Sequence, residues 1–131
     1  MLSPAKDGVD IGLLVKDAQA CLSFYRDSLG FEYIGQVEVS LGVLHRLRWG
    51  SSDLKLLQPT RSLAAGPLGH RNQLGFRYIT LVINDLASAH RELAAVGVPF
   101  SGPPQEIRPG VRVAFMQDPE GNTVELQEVD K

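Results

Sequence analysis

The stretch DIGLLVKDAQACLSFYRDSLGFE, residues 10–32, decides the fold, because the chain says it again as YITLVINDLASAHRELAAVGVP, residues 78–99, about 68 positions later. Both copies run an apolar strand into Lys-Asp or Asn-Asp, and both continue as an amphipathic helix closed by Leu-Gly or Val-Gly. Each copy ends about 45 residues further on in a matching short strand, DLKLLQ from Asp53 and TVELQE from Thr123. A duplicated module has to bury the same face twice. Packing the copies around a pseudo-twofold axis, with a cleft between them, meets that requirement. Functional residues are then expected at equivalent strand positions of the two copies.

Within the first copy, residues 8–15 alternate as a strand, with Ile11, Leu13 and Val15 on one face and Asp10, Gly12 and Leu14 on the other. Asp17 is the expected N-cap of a helix over about 18–29, whose apolar stripe is Ala18, Cys21, Leu22, Phe24, Tyr25 and Leu29, with Gly30 as its stop. Three strands follow, FEYIGQVEV, GVLHRLRW and DLKLLQ, separated by turn residues at 40–42 and 50–52 that suit antiparallel hairpins.

Residues 59–74 carry two prolines and two glycines and read as a linker. The second copy then gives a strand over 75–83, a helix over 86–96 capped by Asp85 and stopped by Gly97, a Pro/Gly-rich strand or loop over 98–109, and the strand GVRVAFMQ. The turn Asp118-Pro119-Glu120-Gly121-Asn122 leads into TVELQE. The expected fold is α+β: one domain of two βαβββ modules, about 8–58 and about 75–128, forming a curved mixed sheet around a cleft.

The bulk properties fit a single globular domain. A chain of 131 residues, 44% hydrophobic and 21% charged, is sufficient to form a core. A net charge of −2 with scattered basic residues gives no footprint for nucleic acid. No apolar run approaches the roughly 20 residues of a membrane span, and the first residues do not read as a signal peptide, so a cytoplasmic setting is expected. The one cysteine, Cys21, lies on the apolar stripe of the first helix and reads as core filler, which excludes an internal disulfide and a cysteine-rich zinc site. No phosphate-binding glycine loop, nucleophile elbow or histidine pair at zinc spacing is present.

This order of elements, carried most specifically by GLLVKDAQACLSFYRDSLGFE and DPEGNTVELQE, resembles the vicinal oxygen chelate superfamily of glyoxalase I, extradiol dioxygenases, methylmalonyl-CoA epimerase and the fosfomycin- and bleomycin-resistance proteins. The scaffold hosts lyases, isomerases, oxygenases, transferases and non-catalytic binders, so it does not fix one activity. In metal-dependent members a divalent ion such as Fe, Mn, Ni or Zn is held from the first and last strands of each module. Carried over by position, those sites are Asp10, Lys55, Tyr78 and Glu125. Only Glu125 is the common ligand type; Asp10 suits a hard cation, Tyr78 is an uncommon ligand and Lys55 a poor one. The resemblance also implies a homodimer.

The lysine turns the argument against a metal. An ammonium about 4 Å from a divalent ion would be repelled by roughly 8 kcal/mol at an effective dielectric of 20. The expectation is therefore no metal cofactor, with Lys55 supplying the positive charge between Asp10 and Glu125 and the phenol of Tyr78 adding a donor. Were a metal bound, Asp10 and Glu125 would hold it. The same four residues also suit a structural ion cluster without chemistry.

Around them, His45 alternates with Leu47, His70 reads as a solvated linker residue, and His90 as a surface residue of the second helix. Aligning VLHRLRW with VRVAFMQ pairs Leu47 with Phe115 and Arg46 with Ala114. With Leu47 and Phe115 toward the helices, Arg46, Arg48, Arg112 and Met116 would face the cleft, where an arginine suits a carboxylate or phosphate. His45 and Trp49 complete the candidate ligand-binding set. Two functions follow: a metal-free binder of a small metabolite or natural product resembling the bleomycin-resistance branch, or a lyase, isomerase or dioxygenase with Glu125 or Asp10 as base and Lys55 or Tyr78 stabilising an enolate-like oxygen.

Overall fold

A computed structural model describes residue 1 and residues 3–66, 69–70 and 73–131. The chain divides into two compact units, 1–65 and 66–131. The first contains β1 (Ile11–Leu14), α1 (Ala18–Leu22), β2 (Glu32–Glu38), β3 (Gly42–Trp49) and β4 (Ser52–Pro59), in a sheet of order β1-β4-β3-β2. The second contains β5 (Tyr78–Val82), α2 (Leu86–Ala95), β6 (Gln105–Arg108), β7 (Val111–Gln117) and β8 (Thr123–Val129), in the order β5-β8-β7-β6. Each unit is thus the expected βαβββ module. Its first and last strands are parallel, and the others pair antiparallel.

The helix starts follow from local chemistry. Asp17 Oδ1 accepts from the Ala20 amide at 3.1 Å and Asp85 Oδ1 from the Ser88 amide at 3.0 Å, so each aspartate satisfies an orphan donor of its first turn. The last strand of each unit supplies a second acceptor: Gln58 Oε1 to the Ala18 amide at 2.8 Å, and Glu128 Oε1 to the Leu86 amide at 3.3 Å. These two side chains stand at equivalent positions and pin each helix onto its own sheet. In the first unit the expected single helix over 18–29 is α-helical only to Leu22 and continues over Ser23–Ser28 with the wider π turn, in which the Leu29 amide donates to the Phe24 carbonyl at 3.0 Å.

The two cores differ in filling. Phe24, Tyr25 and Phe31 bury aromatic rings with Leu47, Leu54 and Leu56 in the first unit, Tyr25 meeting both phenylalanines edge-on. The second core is aliphatic, from Leu81, Leu86, Leu93, Ala114, Met116, Val124 and Leu126.

At the start of β3, a Cβ on Gly42 would lie 2.0 Å from the Gln58 carbonyl oxygen, so the β3–β4 pair closes only around a glycine. Gly42→Ala is expected to destabilise by about 1–3 kcal/mol, measured as a lower urea midpoint. No helix among the described residues is long and apolar enough to cross a membrane.

Candidate functional site

Each sheet has one face under its own helix and one face opposite it. In the first unit, strand alternation and register sort the opposite face into three bands. Asp10, Asp53, Arg48 and Glu32 form a charged band. Gly12, Lys55, Arg46 and Gly35 form the next, with Lys55 directly across from both Gly12 and Arg46. Leu14, Leu57, Leu44 and Val37 form the third, entirely apolar.

The charged band is tightly bonded. Asp53, buried, accepts from Arg48 Nε at 2.9 Å and from Arg46 Nη2 at 3.1 Å. These guanidinium bonds, Arg48 first, hold its carboxyl down at about 2. Asp10 Oδ1 accepts from Lys6 Nζ at 2.5 Å and from the Asp53 amide at 2.8 Å, and both bonds lower its pKa, that from Lys6 most. The expected Lys55–Asp10 pair is therefore corrected. Register puts Lys55 beside Gly12, one band along from Asp10, and Lys6 neutralises Asp10 instead. Among the described residues Lys55 forms no ion pair.

In the second unit the equivalent face pairs Thr80 with Glu125 and Glu125 with Phe115, so Glu125 stands where Lys55 stands in the first copy. The carboxylate is buried and accepts from Thr80 Oγ1 at 2.7 Å. Tyr78 lies one pair along this face, half exposed, its ring edge-on to Phe115 at 6.1 Å. His70 does not behave as a solvated linker residue. Its ring stacks on Phe115 at 4.4 Å and 9°, and its Nε2 is buried without a hydrogen-bond partner among the described residues.

Four of the expected ligand-binding residues lie on the helix-bearing faces instead. His45 is buried beside Leu47 and Leu56, with Nδ1 3.0 Å from the Tyr33 hydroxyl. Burial, with the Arg26 guanidinium nearby, pushes its pKa down, which describes a neutral structural histidine. Trp49 packs its ring 5.0 Å from Phe31. Met116 is fully buried opposite Val124. Arg112 donates to Glu128 Oε2 and to Asp130 Oδ1 at 2.9 Å, and these bonds, Glu128's first, raise its pKa further. Arg46 and Arg48 do occupy the opposite face, but Asp53, their shared partner, was not among the sequence candidates; its alternation with Lys55 in DLKLLQ was the available signal.

The donor chemistry is poor for a divalent ion. In the first unit the residue paired with Lys55 is Gly12, and Asp10 is already bonded to Lys6; in the second the residue paired with Glu125 is Thr80, so neither unit by itself presents a set of anionic donors at these positions. Among the described residues no group of three or more His, Cys, Asp or Glu side chains is placed to hold a metal.

Comparison with known proteins agrees with this architecture. No functionally curated protein matches the sequence. Among solved structures, SMU.1112c superposes with a TM-score of 0.78 at 26% identity, over 95% of this chain and 100% of that one. A glyoxalase/bleomycin resistance protein/dioxygenase superfamily member from Sphaerobacter thermophilus DSM 20745 gives 0.73 at 25% identity, over 94% and 97%. TnmS3, an antibiotic binding protein from Streptomyces sp. CB03234, gives 0.74 at 21% identity, over 98% and 100%, and so shares the fold. The family model for the Glyoxalase/Bleomycin resistance protein/Dioxygenase superfamily matches residues 9–126. With nearly its whole length inside that match and two βαβββ modules of identical strand order, the chain belongs to the Glyoxalase/Bleomycin resistance protein/Dioxygenase superfamily.

Proposed function

We propose that this protein captures a small organic molecule, a metabolite or natural product, against sheet faces opposite its helices, and that it does so without the divalent metal of its metal-dependent relatives. The observation that carries this reading is the substitution of cation for donor: Lys55 sits at the last-strand position with glycine on one side and Arg46 on the other. The flat His70–Phe115 stack, bordered by Tyr78, gives the second unit an aromatic surface suited to a planar ligand. The antibiotic-binding role of TnmS3 on the same scaffold supports capture as a function. Homodimerisation belongs to the same reading and is checked by sedimentation equilibrium, a monomer removing it.

The test is a thermal-shift screen of metabolites and natural products on protein purified without chelators, alongside elemental analysis. The expected result is no stoichiometric divalent ion, and ligand shifts that survive EDTA. A ligand at a hundred times its dissociation constant stabilises by about 2.7 kcal/mol. A stoichiometric metal whose removal abolishes those shifts overturns the proposal.

A second reading, enolisation or a related proton transfer, is favoured by one observation: Glu125 is a buried carboxylate bonded to a hydroxyl, with the Tyr78 phenol on the same face. Asp10 is a poor base beside it, held ionised by Lys6. For an enzyme, Glu125→Gln is expected to lower kcat by about 100-fold or more while leaving ligand affinity within a few-fold. A substrate screen that finds no turnover in the parent protein leaves capture as the activity.

A further inference from the structure

The banding of the first unit's sheet face specifies a ligand chemistry more narrowly than the capture reading on which it rests. Lys55 and Arg46 are direct cross-strand partners, a like-charge pairing that a sheet ordinarily avoids. Asp53 takes Nη2 of Arg46, but among the described residues no carboxylate pairs with Lys55. The acids of the neighbouring band do not relieve this. Asp53 is engaged by two arginines, Asp10 by Lys6 and a backbone amide, and Glu32 stands opposite Arg48 on β2, separated from Lys55 by the whole of β3. Of the cations in the two bands and Lys6 beside them, Lys6, Arg46 and Arg48 each pair with Asp10 or Asp53, and among the described residues Lys55 is the one without an ion pair.

The space over the cation pair is open at both ends. Gly12 and Gly35 flank it in the same band, and a Cβ on either would meet nothing within 4 Å. The band on the far side from the acids is Leu14, Leu57, Leu44 and Val37, with Leu14 and Val37 about half exposed. Two residues along a strand span about 7 Å, the length of a fused ring pair or a short alkyl chain.

We infer that this face binds an organic anion, a carboxylate or phosphate ester with an apolar body, its charged group bridging Lys55 and Arg46 and its body lying on the leucine band. The bound anion supplies the negative charge missing between two facing cations, and the leucines lose water to the ligand instead of to another side chain. The cation pair and the apolar band set the polarity, so the charged head stays over Lys55 and Arg46 while the body runs away from the acids toward Leu57.

The probes are 2-naphthoate and 2-naphthyl phosphate, with 2-naphthylmethanol as the neutral isostere, read by thermal shift and calorimetry on the full chain. Both anions, or the one whose head fits, are expected to raise Tm and the alcohol to bind at least tenfold more weakly. Lys55→Met is expected to raise the Tm of the ligand-free protein by about 2 °C and to weaken the anion about tenfold. Leu57→Asp, in the apolar band, abolishes the shift by a different route, and keeps the test open should the lysine variant fold poorly. Equal binding of alcohol and anions, or anion affinity untouched by both variants, overturns the inference while leaving capture standing. Variants that change the sedimentation behaviour instead of the naphthoate shift overturn it in favour of a second copy on this face. Failure of every screened molecule, with a stoichiometric metal present, would sink the capture reading itself.

Discussion

Lys55→Glu is expected to make the ligand-free protein more stable and to lower its affinity for organic anions by about 100-fold, since a facing like-charge pair becomes an opposite pair and the anion meets a carboxylate. The parent pairing sets Lys55 directly across from Arg46, with glycines rather than side chains at the outer positions of the band. Replacing repulsion by attraction at such a cross-strand pair is worth about 1 kcal/mol at low salt, and less as salt screens it. Gain of stability with loss of function is the signature of a residue kept for a ligand, because a purely structural position would be improved by the same change without consequence. Urea denaturation of the ligand-free proteins gives the first half and naphthoate titration the second. A variant that loses stability, or binds naphthoate as the parent does, removes Lys55 from the ligand's path.

Much of this was legible in the chain. The repeat, the caps Asp17 and Asp85, and the order of strands required only local chemistry and periodicity, because an N-cap aspartate and an alternating strand carry their own reasons. The faces of the third strands were not legible at that level. Thr80 follows Gly12 by 68 residues, but Glu125 follows Lys55 by 70 and Phe115 follows Arg46 by 69. Pairing Leu47 with Phe115 keeps the first-strand offset and slips the register by one, and in a strand one residue exchanges the faces. That single slip put Met116 and Arg112 on the wrong side and hid Phe115 among the core residues.

Long-range bonds were the other blind spot. Nothing in the spacing of Gln58 from Ala18, or of Glu128 from Leu86, announces that a last-strand side chain caps a helix. The recurrence of Gln and Glu at the same repeat position was the only trace, and it also accounts for Arg112, which is bonded to Glu128 on the helix side. Likewise His70 lies in a segment without periodicity, and only the folded chain stacks it on Phe115.

Acid should weaken the parent protein through Asp53, and Asp53→Asn should remove that sensitivity. The carboxyl, ordinarily near 3.8, is held at about 2 by Arg48 and Arg46. A group whose pKa is lower folded than unfolded binds its proton more readily in the unfolded chain, so its contribution is complete above about pH 4 and is lost as pH falls toward 2. The parent and the variant should therefore differ most in urea midpoint near neutrality and converge near pH 2, with the parent the more stable above that. Asp10, Asp27 and Asp85 are also lowered, and the variant keeps a residual slope from them. Because Asp53 is the tether that holds Arg46 alongside Lys55, the same variant frees that guanidinium, and the entropy of re-fixing it falls on the ligand. Naphthoate should then bind several-fold more weakly at pH 7 despite the more positive face. Tighter binding would mean that net charge, not the fixed position of Arg46, governs recognition.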